Sequence, residues 1–256
     1  MKKYLFFDVD GTLYNSNKEI PSSTLKAIEQ AKKNGHEIGI ATGRAPFMIK
    51  DLLETLDIHT YVCFNGQYVV MQDEVIFTDG IPNEQLEEIL LFAEQRNEPI
   101  AYFNDEVMIA SHSGNENVAV SLATLKYPYP VVERKFYENN SVYQTLIFVN
   151  EEEEKAYRER FPQLQIVRWH SASCDLLPKE GSKARGLQKL IESKNIPIEN
   201  VFVFGDGLND VEMLRYIPNS VAMGNGHEQA KEAAKMVTRH VDDDGILHAL
   251  QTLQLI

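Results

Sequence analysis

The stretch Phe6-Phe7-Asp8-Val9-Asp10-Gly11-Thr12 joins an apolar run to two carboxylates, a glycine and a hydroxyl. In an extended segment successive side chains alternate faces, so Asp8 and Asp10 can point the same way while Val9 points to the other side. Gly11 permits a sharp turn, and Thr12 can hydrogen-bond locally or to a ligand. Two carboxylates held this close repel each other unless a cation or a shared proton offsets the charge. Magnesium suits such a place, because it binds through a few carboxylates, keeps several waters and leaves positions for phosphate oxygens. An isolated Asp-x-Asp is more often a solvated turn after a buried strand, so the rest of the chain has to decide.

Outward from this stretch the pattern repeats. A helix start at Pro21 is followed by a strand, Glu37 to Ala41, that ends in Thr42-Gly43-Arg44. A helix from about Pro46 to Leu56 is followed by a strand, Tyr61 to Phe64, that ends in Asn65-Gly66. Strand and helix in alternation predict a parallel sheet covered by helices, whose ligands gather at the carboxyl ends of the strands. From Asp79-Gly80-Ile81-Pro82 the regular alternation stops, and hairpins, helices and strands mix until Gly181. It then resumes with a helix over 182–193, a buried strand over 201–204, a helix over 208–216 and a short strand near 220–223. The expected architecture is α/β, a parallel-sheet core covered by helices (1–82 and 181–256) with an α+β unit inserted over 83–180.

The 256 residues are 43% apolar and 25% charged, and the formal net charge is -13. No basic excess exists to neutralise phosphates, which argues against a nucleic-acid or anionic-membrane surface. Cys63 and Cys174 lie in apolar surroundings without metal-ligand spacing, and the histidines form no HxxH pattern. No stretch approaches the ~18 consecutive apolar residues of a spanning helix. Met1-Lys2-Lys3 leads into a run that carries acids too early for a signal-peptide core, so a cytoplasmic location is the default expectation. The acids Glu151 to Glu154 open a helix and serve its dipole. A phosphorylated substrate would therefore need a metal and a few well-placed cations.

Phe204-Gly205-Asp206-Gly207-Leu208-Asn209-Asp210 follows the logic of the opening stretch, an apolar strand ending in glycine and acids where a helix begins. Read alone, Asp206 and Asp210 fit loop and helix-capping roles equally well. Beside Asp8 and Asp10 they could converge on one cation. Lys183 opens the helix that leads back into the sheet, and Thr42 ends the second strand. As a set these residues supply what phosphoryl transfer needs: a cation opposite the metal, hydroxyl donors and an in-line nucleophile.

Asp8-Val9-Asp10-Gly11-Thr12, Ala41-Thr42-Gly43-Arg44, Asn65-Gly66, Gly181-Ser182-Lys183, Gly205-Asp206-Gly207-Leu208-Asn209-Asp210 and Met223-Gly224-Asn225 together resemble the ordered motifs of the haloacid dehalogenase (HAD) superfamily. The resemblance is closest to its Cof-type phosphatases, subfamily IIB, and runs from Tyr4 to Leu247. It implies a Rossmannoid core with a C2-type α+β cap. It implies a nucleophilic Asp8 that forms an aspartyl-phosphate, and an Asp10 that protonates the leaving alcohol and then activates water. It implies Mg2+ on the Asp8 carboxylate, the Asp10 carbonyl and Asp206, with Asp210 in support, and phosphate on Thr42, Gly43, Lys183 and Asn209. Arg44, Asn65 and Asn225 are weaker candidates for substrate contact. Gln67 and Ala184-Arg185 depart from the family pattern.

The expected function is Mg-dependent hydrolysis of small phosphorylated metabolites, such as sugar, nucleotide or cofactor phosphates, by a monomer or weak homodimer. A phosphotransferase or mutase on the same core is the alternative, as is a phosphoacceptor signalling module. Cap residues Tyr102, Phe103, Tyr127, Tyr129 and Trp169 could line the substrate space, although packing is the commoner role for such residues.

Overall fold

A computed structural model describes all residues, 1–256. The chain forms two compact units. One comprises Met1–Arg44, Met48–Thr78 and Gly181–Ile256; the other comprises Asp79–Glu180 together with Ala45–Phe47.

The first unit begins with β1 (Tyr4–Phe7), α1 (Ser22–Lys33), β2 (Glu37–Ala41), α2 (Lys50–Leu56), β3 (Thr60–Cys63), β4 (Tyr68–Met71) and β5 (Glu74–Thr78). The second unit holds α3 (Asn83–Glu94), β6 (Ile100–Phe103), β7 (Met108–Ala110), α4 (Glu116–Thr124), β8 (Val131–Val132), β9 (Gln144–Ile147), α5 (Glu151–Arg160), β10 (Leu164–His170) and β11 (Ser173–Pro178). The chain then returns to the first unit with α6 (Lys183–Ser193), β12 (Val201–Gly205), α7 (Val211–Tyr216), β13 (Asn219–Ala222), α8 (Glu228–Ala233), β14 (Met236–Val237) and α9 (Gly245–Thr252).

In the first unit Leu5, Phe6 and Phe7 of β1 are all fully buried. Such an unbroken apolar run is what a strand covered on both faces requires. The sheet runs in the order β14-β13-β12-β1-β2-β3-β4-β5. Its strands are parallel from β14 to β3, with β1 between β12 and β2, and the β4–β5 hairpin extends it in antiparallel fashion. The carboxyl ends of β12, β1, β2 and β3 therefore lie side by side, and the ladder continues past them. The Asp8 N–H donates to the Phe204 carbonyl at 2.9 Å, and the Thr42 N–H to the Val62 carbonyl at 2.8 Å. These bonds carry the backbone of both polar stretches into the sheet.

Two helices are shorter than their sequence patterns predict. Pro46–Met48 forms a 3-10 turn and α2 starts at Lys50. Pro46 and Phe47 of this turn belong with the inserted unit, where the Phe47 ring packs on Phe103 and Tyr127, 6.1 and 6.2 Å between centroids. Leu208–Asp210 is likewise a 3-10 turn ahead of α7, tightened by the bonds that Asp210 accepts at its start.

The inserted unit is a six-stranded sheet in the order β10-β11-β9-β6-β7-β8, antiparallel except between β7 and β8. Leu86, Ile89 and Leu90 of α3 and Tyr157 of α5 share one apolar core with Ile100, Tyr102, Ile147, Cys174 and Leu176 of the sheet. The glutamate run opens α5 through a capping box. Asn150 accepts from the Glu152 and Glu153 N–H groups, and Glu153 accepts from the Asn150 N–H. No helix is long and apolar enough to cross a membrane.

Candidate active site

At the ends of β1 and β12 and the start of α6, one ammonium lies between two carboxylates. Lys183 Nζ donates to Asp8 Oδ1 at 2.5 Å and to Asp210 Oδ1 at 2.6 Å. Lys183 and Asp210 have no solvent exposure, and Asp8 has 6%. Burial of such charges is costly unless each is paired and hydrogen-bonded. The pairing here is extensive, because Asp210 Oδ2 also accepts from the backbone N–H groups of Asp206 and Gly207, both at 2.8 Å. Asp210 thereby shapes the loop that presents Asp206.

Asp206 faces the opening loop, where Thr12 donates its hydroxyl to Asp206 Oδ1 at 3.0 Å. Gly11 takes φ +86, and a Cβ there would come within 2.2 Å of Asp206 Oδ2. The glycine is required for the approach as well as for the turn. Carboxylate oxygens of Asp8, Asp206 and Asp210 all lie within 4.8 Å of one another. Three acids against one ammonium leave a net negative charge in a dry place. Burial pushes Asp8 up, Lys183 draws it back, and the Asp210 charge raises it again, with a net rise. Burial, reinforced by Asp210, pushes Asp206 up to about 6. Burial pulls the other way on Lys183, but Asp210 and Asp8 override it and keep the ammonium charged. Hard oxygen donors with an unmet need for positive charge fit a divalent cation such as magnesium.

Lys183 owes its position to a close backbone contact. A Cβ on Gly66, at φ +97, would meet the Ser182 carbonyl at 2.0 Å, and one on Gly186 would meet Gly66 Cα at 2.6 Å. The Asn65-Gly66 turn therefore packs directly on the first turn of α6. The Ser182 side chain caps that turn by accepting from the Arg185 N–H at 3.3 Å. Arg185 itself extends over the Phe77 ring, 5.4 Å from its centroid.

Asp10 is held differently. Arg44 Nε donates to its Oδ2 at 2.7 Å and Arg44 Nη2 to its Oδ1 at 2.8 Å, and Lys18 also pairs with Oδ1. Burial raises Asp10, but these bonds outweigh it and hold the carboxyl below its ordinary range. In this geometry Asp10 is ionised and accepts only. Arg44, a candidate substrate contact from sequence, is thus engaged by Asp10. Asn225 donates to the Gly11 carbonyl at 2.8 Å and accepts from the Val241 N–H at 2.8 Å, so it ties the opening loop to a later one. Asn209 Nδ2 donates to Asn65 Oδ1 at 3.2 Å. The Thr42 hydroxyl oxygen accepts from the Arg44 N–H at 3.1 Å, which leaves its proton free to donate. Gly43 lies against the Asn65 side chain.

Sequence reading missed Lys18 as a partner of Asp10, since a lysine in an exposed turn carries no signal. In the inserted unit Tyr102 is fully buried and its hydroxyl donates to the Arg134 carbonyl at 2.9 Å, so it is a packing residue. Tyr129 donates to the His112 carbonyl at 2.8 Å.

A family model for haloacid dehalogenase-like hydrolases matches residues 5–250. The chain belongs to that family. YkrA of Bacillus subtilis (strain 168) is 41% identical over 254 residues, which span 99% of this chain and 98% of that protein. Among solved structures, a hypothetical protein from Geobacillus kaustophilus HTA426 superposes with a TM-score of 0.97 at 42% identity, covering 100% of both chains. The HAD subclass IIB sugar phosphatase BT4131 superposes with a TM-score of 0.82 at 35% identity, covering 99% of this chain and 100% of that one.

Proposed function

We propose that the protein is a magnesium-dependent phosphatase of small phosphorylated metabolites that works through a phosphoaspartate on Asp8. The observation that carries this reading is the buried set Asp8, Lys183 and Asp210 with Asp206 beside it, at the carboxyl ends of adjacent parallel strands. An Asp8 oxygen forms a bond to phosphorus as the ester P–O bond breaks. Asp10 gives its proton to the departing alkoxide, then regains one from the water whose oxygen attacks the phosphoaspartate, which frees phosphate and Asp8. Because Asp10 is ionised while Arg44 holds it, donation requires that grip to loosen. Thr42, Gly43, Lys183 and Asn209 would bind the phosphate oxygens, and Lys183 offsets their charge. Asp8, Asp206 and the Asp10 carbonyl would hold magnesium, supported by Asp210. The bound metal would neutralise charge on the phosphoryl group.

The metal can be tested without turnover. Asp206 titrates at about 6 in the fold against an ordinary 3.8. Between those values the folded state holds a proton that the unfolded chain has lost, so stability falls as pH rises through the window. A cation takes over the proton's role, and anything that binds only the native state raises the melting temperature. Magnesium should therefore raise the melting temperature more at pH 8 than at pH 5. The same samples should release phosphate from 4-nitrophenyl phosphate with magnesium and not with EDTA. A melting temperature indifferent to magnesium at both pH values would count against this metal site.

A further inference from the structure

The turn that ends β3 takes a conformation that its residues resist. Phe64, Asn65 and Gly66 follow one another at φ 50, 49 and 97. Glycine adopts a left-handed backbone freely and asparagine tolerates it, but Phe64 carries a bulky side chain for which positive φ is rare. Strain of this kind persists only where the surroundings over-determine it, and it gathers at functional sites. Phe64 is fully buried, and its carbonyl accepts from the Gln67 side-chain amide at 3.0 Å and from the Gln67 backbone N–H at 3.4 Å.

Gln67 is an unusual residue to bury there. It has no solvent exposure, and its Oε1 is buried without a hydrogen-bond partner. Met or Leu would fill the same space without an unsatisfied acceptor, so packing does not account for an amide at this position. What the amide supplies is a second donor to the Phe64 carbonyl. Gln67 also departs from the family pattern that Asn65-Gly66 follows.

The neighbours of the turn give its shape a consequence. The Asn65 N–H donates to the Thr42 carbonyl and the Phe64 N–H to the Arg44 carbonyl, both at 3.1 Å. A Cβ on Gly43 would meet the Asn65 side chain at 3.0 Å, and Asn65 Oδ1 accepts from Asn209 at 3.2 Å. Gly66 lies against the Ser182 carbonyl and Gly186, in the first turn of the helix that begins with Lys183. Thr42 with Gly43, Asn209 and Lys183 come from three separate stretches of the chain, and the Phe64–Gly66 turn touches all three. We propose that Gln67 is a positioning residue for the phosphate site: its amide locks the left-handed turn, and the turn sets the spacing of those four groups. This inference rests on the phosphatase reading, which makes them the phosphate ligands.

Gln67→Met in the intact protein tests this, because it keeps the length of the side chain and removes the donor and the unpartnered acceptor together. The Phe64 carbonyl keeps the backbone N–H of residue 67, so the variant should melt within about 4 °C of the parent. Misplacing positioning groups by about 1 Å costs on the order of 100-fold, so a smaller shift should lower kcat for 4-nitrophenyl phosphate, with magnesium present, about ten-fold. The inhibition constant of inorganic phosphate should rise by a similar factor. Hydrogen–deuterium exchange should quicken in the peptides covering 42–44 and 182–186 and keep the parent's rate in α1. Unchanged kinetics would overturn the proposal, and so would unchanged exchange. A variant that fails to fold, or melts far below the parent, would make Gln67 a packing residue and overturn it as well. If the parent itself does not hydrolyse 4-nitrophenyl phosphate, the phosphatase reading falls, while the exchange rates still judge the turn.

Discussion

Asp8→Asn is expected to lower phosphate release by on the order of 10⁴-fold, because an amide oxygen does not attack phosphorus and no neighbouring group replaces it. Asp10 sits in the grip of Arg44 and Lys18, and Asp206 and Asp210 are committed to Thr12, backbone N–H groups and Lys183. The same substitution removes one of three acids crowded around one ammonium, and the Asn oxygen still accepts from Lys183. The fold should therefore survive. At pH 8 without metal the variant should melt at or above the parent's temperature, while steady-state assays show the lost turnover. A large loss of both stability and activity would instead make Asp8 a structural residue.

Lys183→Met carries the largest expected effect on stability. It leaves the Asp8 and Asp210 carboxylates buried without their cation, and breaking a buried pair from one side costs about 3–5 kcal/mol. For a chain of this size that corresponds to a fall in melting temperature on the order of 10 °C. On the proposed mechanism activity should also collapse, because Lys183 is the fully buried cation placed against Asp8. The coupling is measurable by adding Asp210→Asn to Lys183→Met. The double variant should lose less stability than the two single losses combined, since each partner's absence removes the other's penalty. Strict additivity would mean that the two side chains do not act as the pair the geometry indicates.

The acids and the lysine of the site were legible because each ends or begins an element whose type could be read. Asp8 and Asp206 follow apolar runs with no alternation, and a buried parallel strand has that signature. Once two such strands are neighbours, their ends must meet. The grip of Arg44 on Asp10 was not legible, because it joins side chains from two different strand ends and depends on the Gly11 turn. Asn65-Gly66 could be read as the end of a strand, but nothing local says that its backbone touches that of Gly186 in α6. In the inserted unit the limit is different. Tyr102 and Phe103 are adjacent in sequence and face opposite sides of one strand, and only the pairing with β9 and β7 decides which side is the core.

The phosphoryl group on Asp8 is the most direct measurement. The protein is mixed with a fast-reacting aryl phosphate and magnesium, quenched in acid during turnover and digested for mass spectrometry. The peptide carrying Asp8 should bear a phosphoryl adduct that is lost when the reaction runs out of substrate and is absent from Asp8→Asn. Sustained turnover with no adduct on that peptide, or with the adduct on another residue, would contradict the assignment of Asp8 as nucleophile.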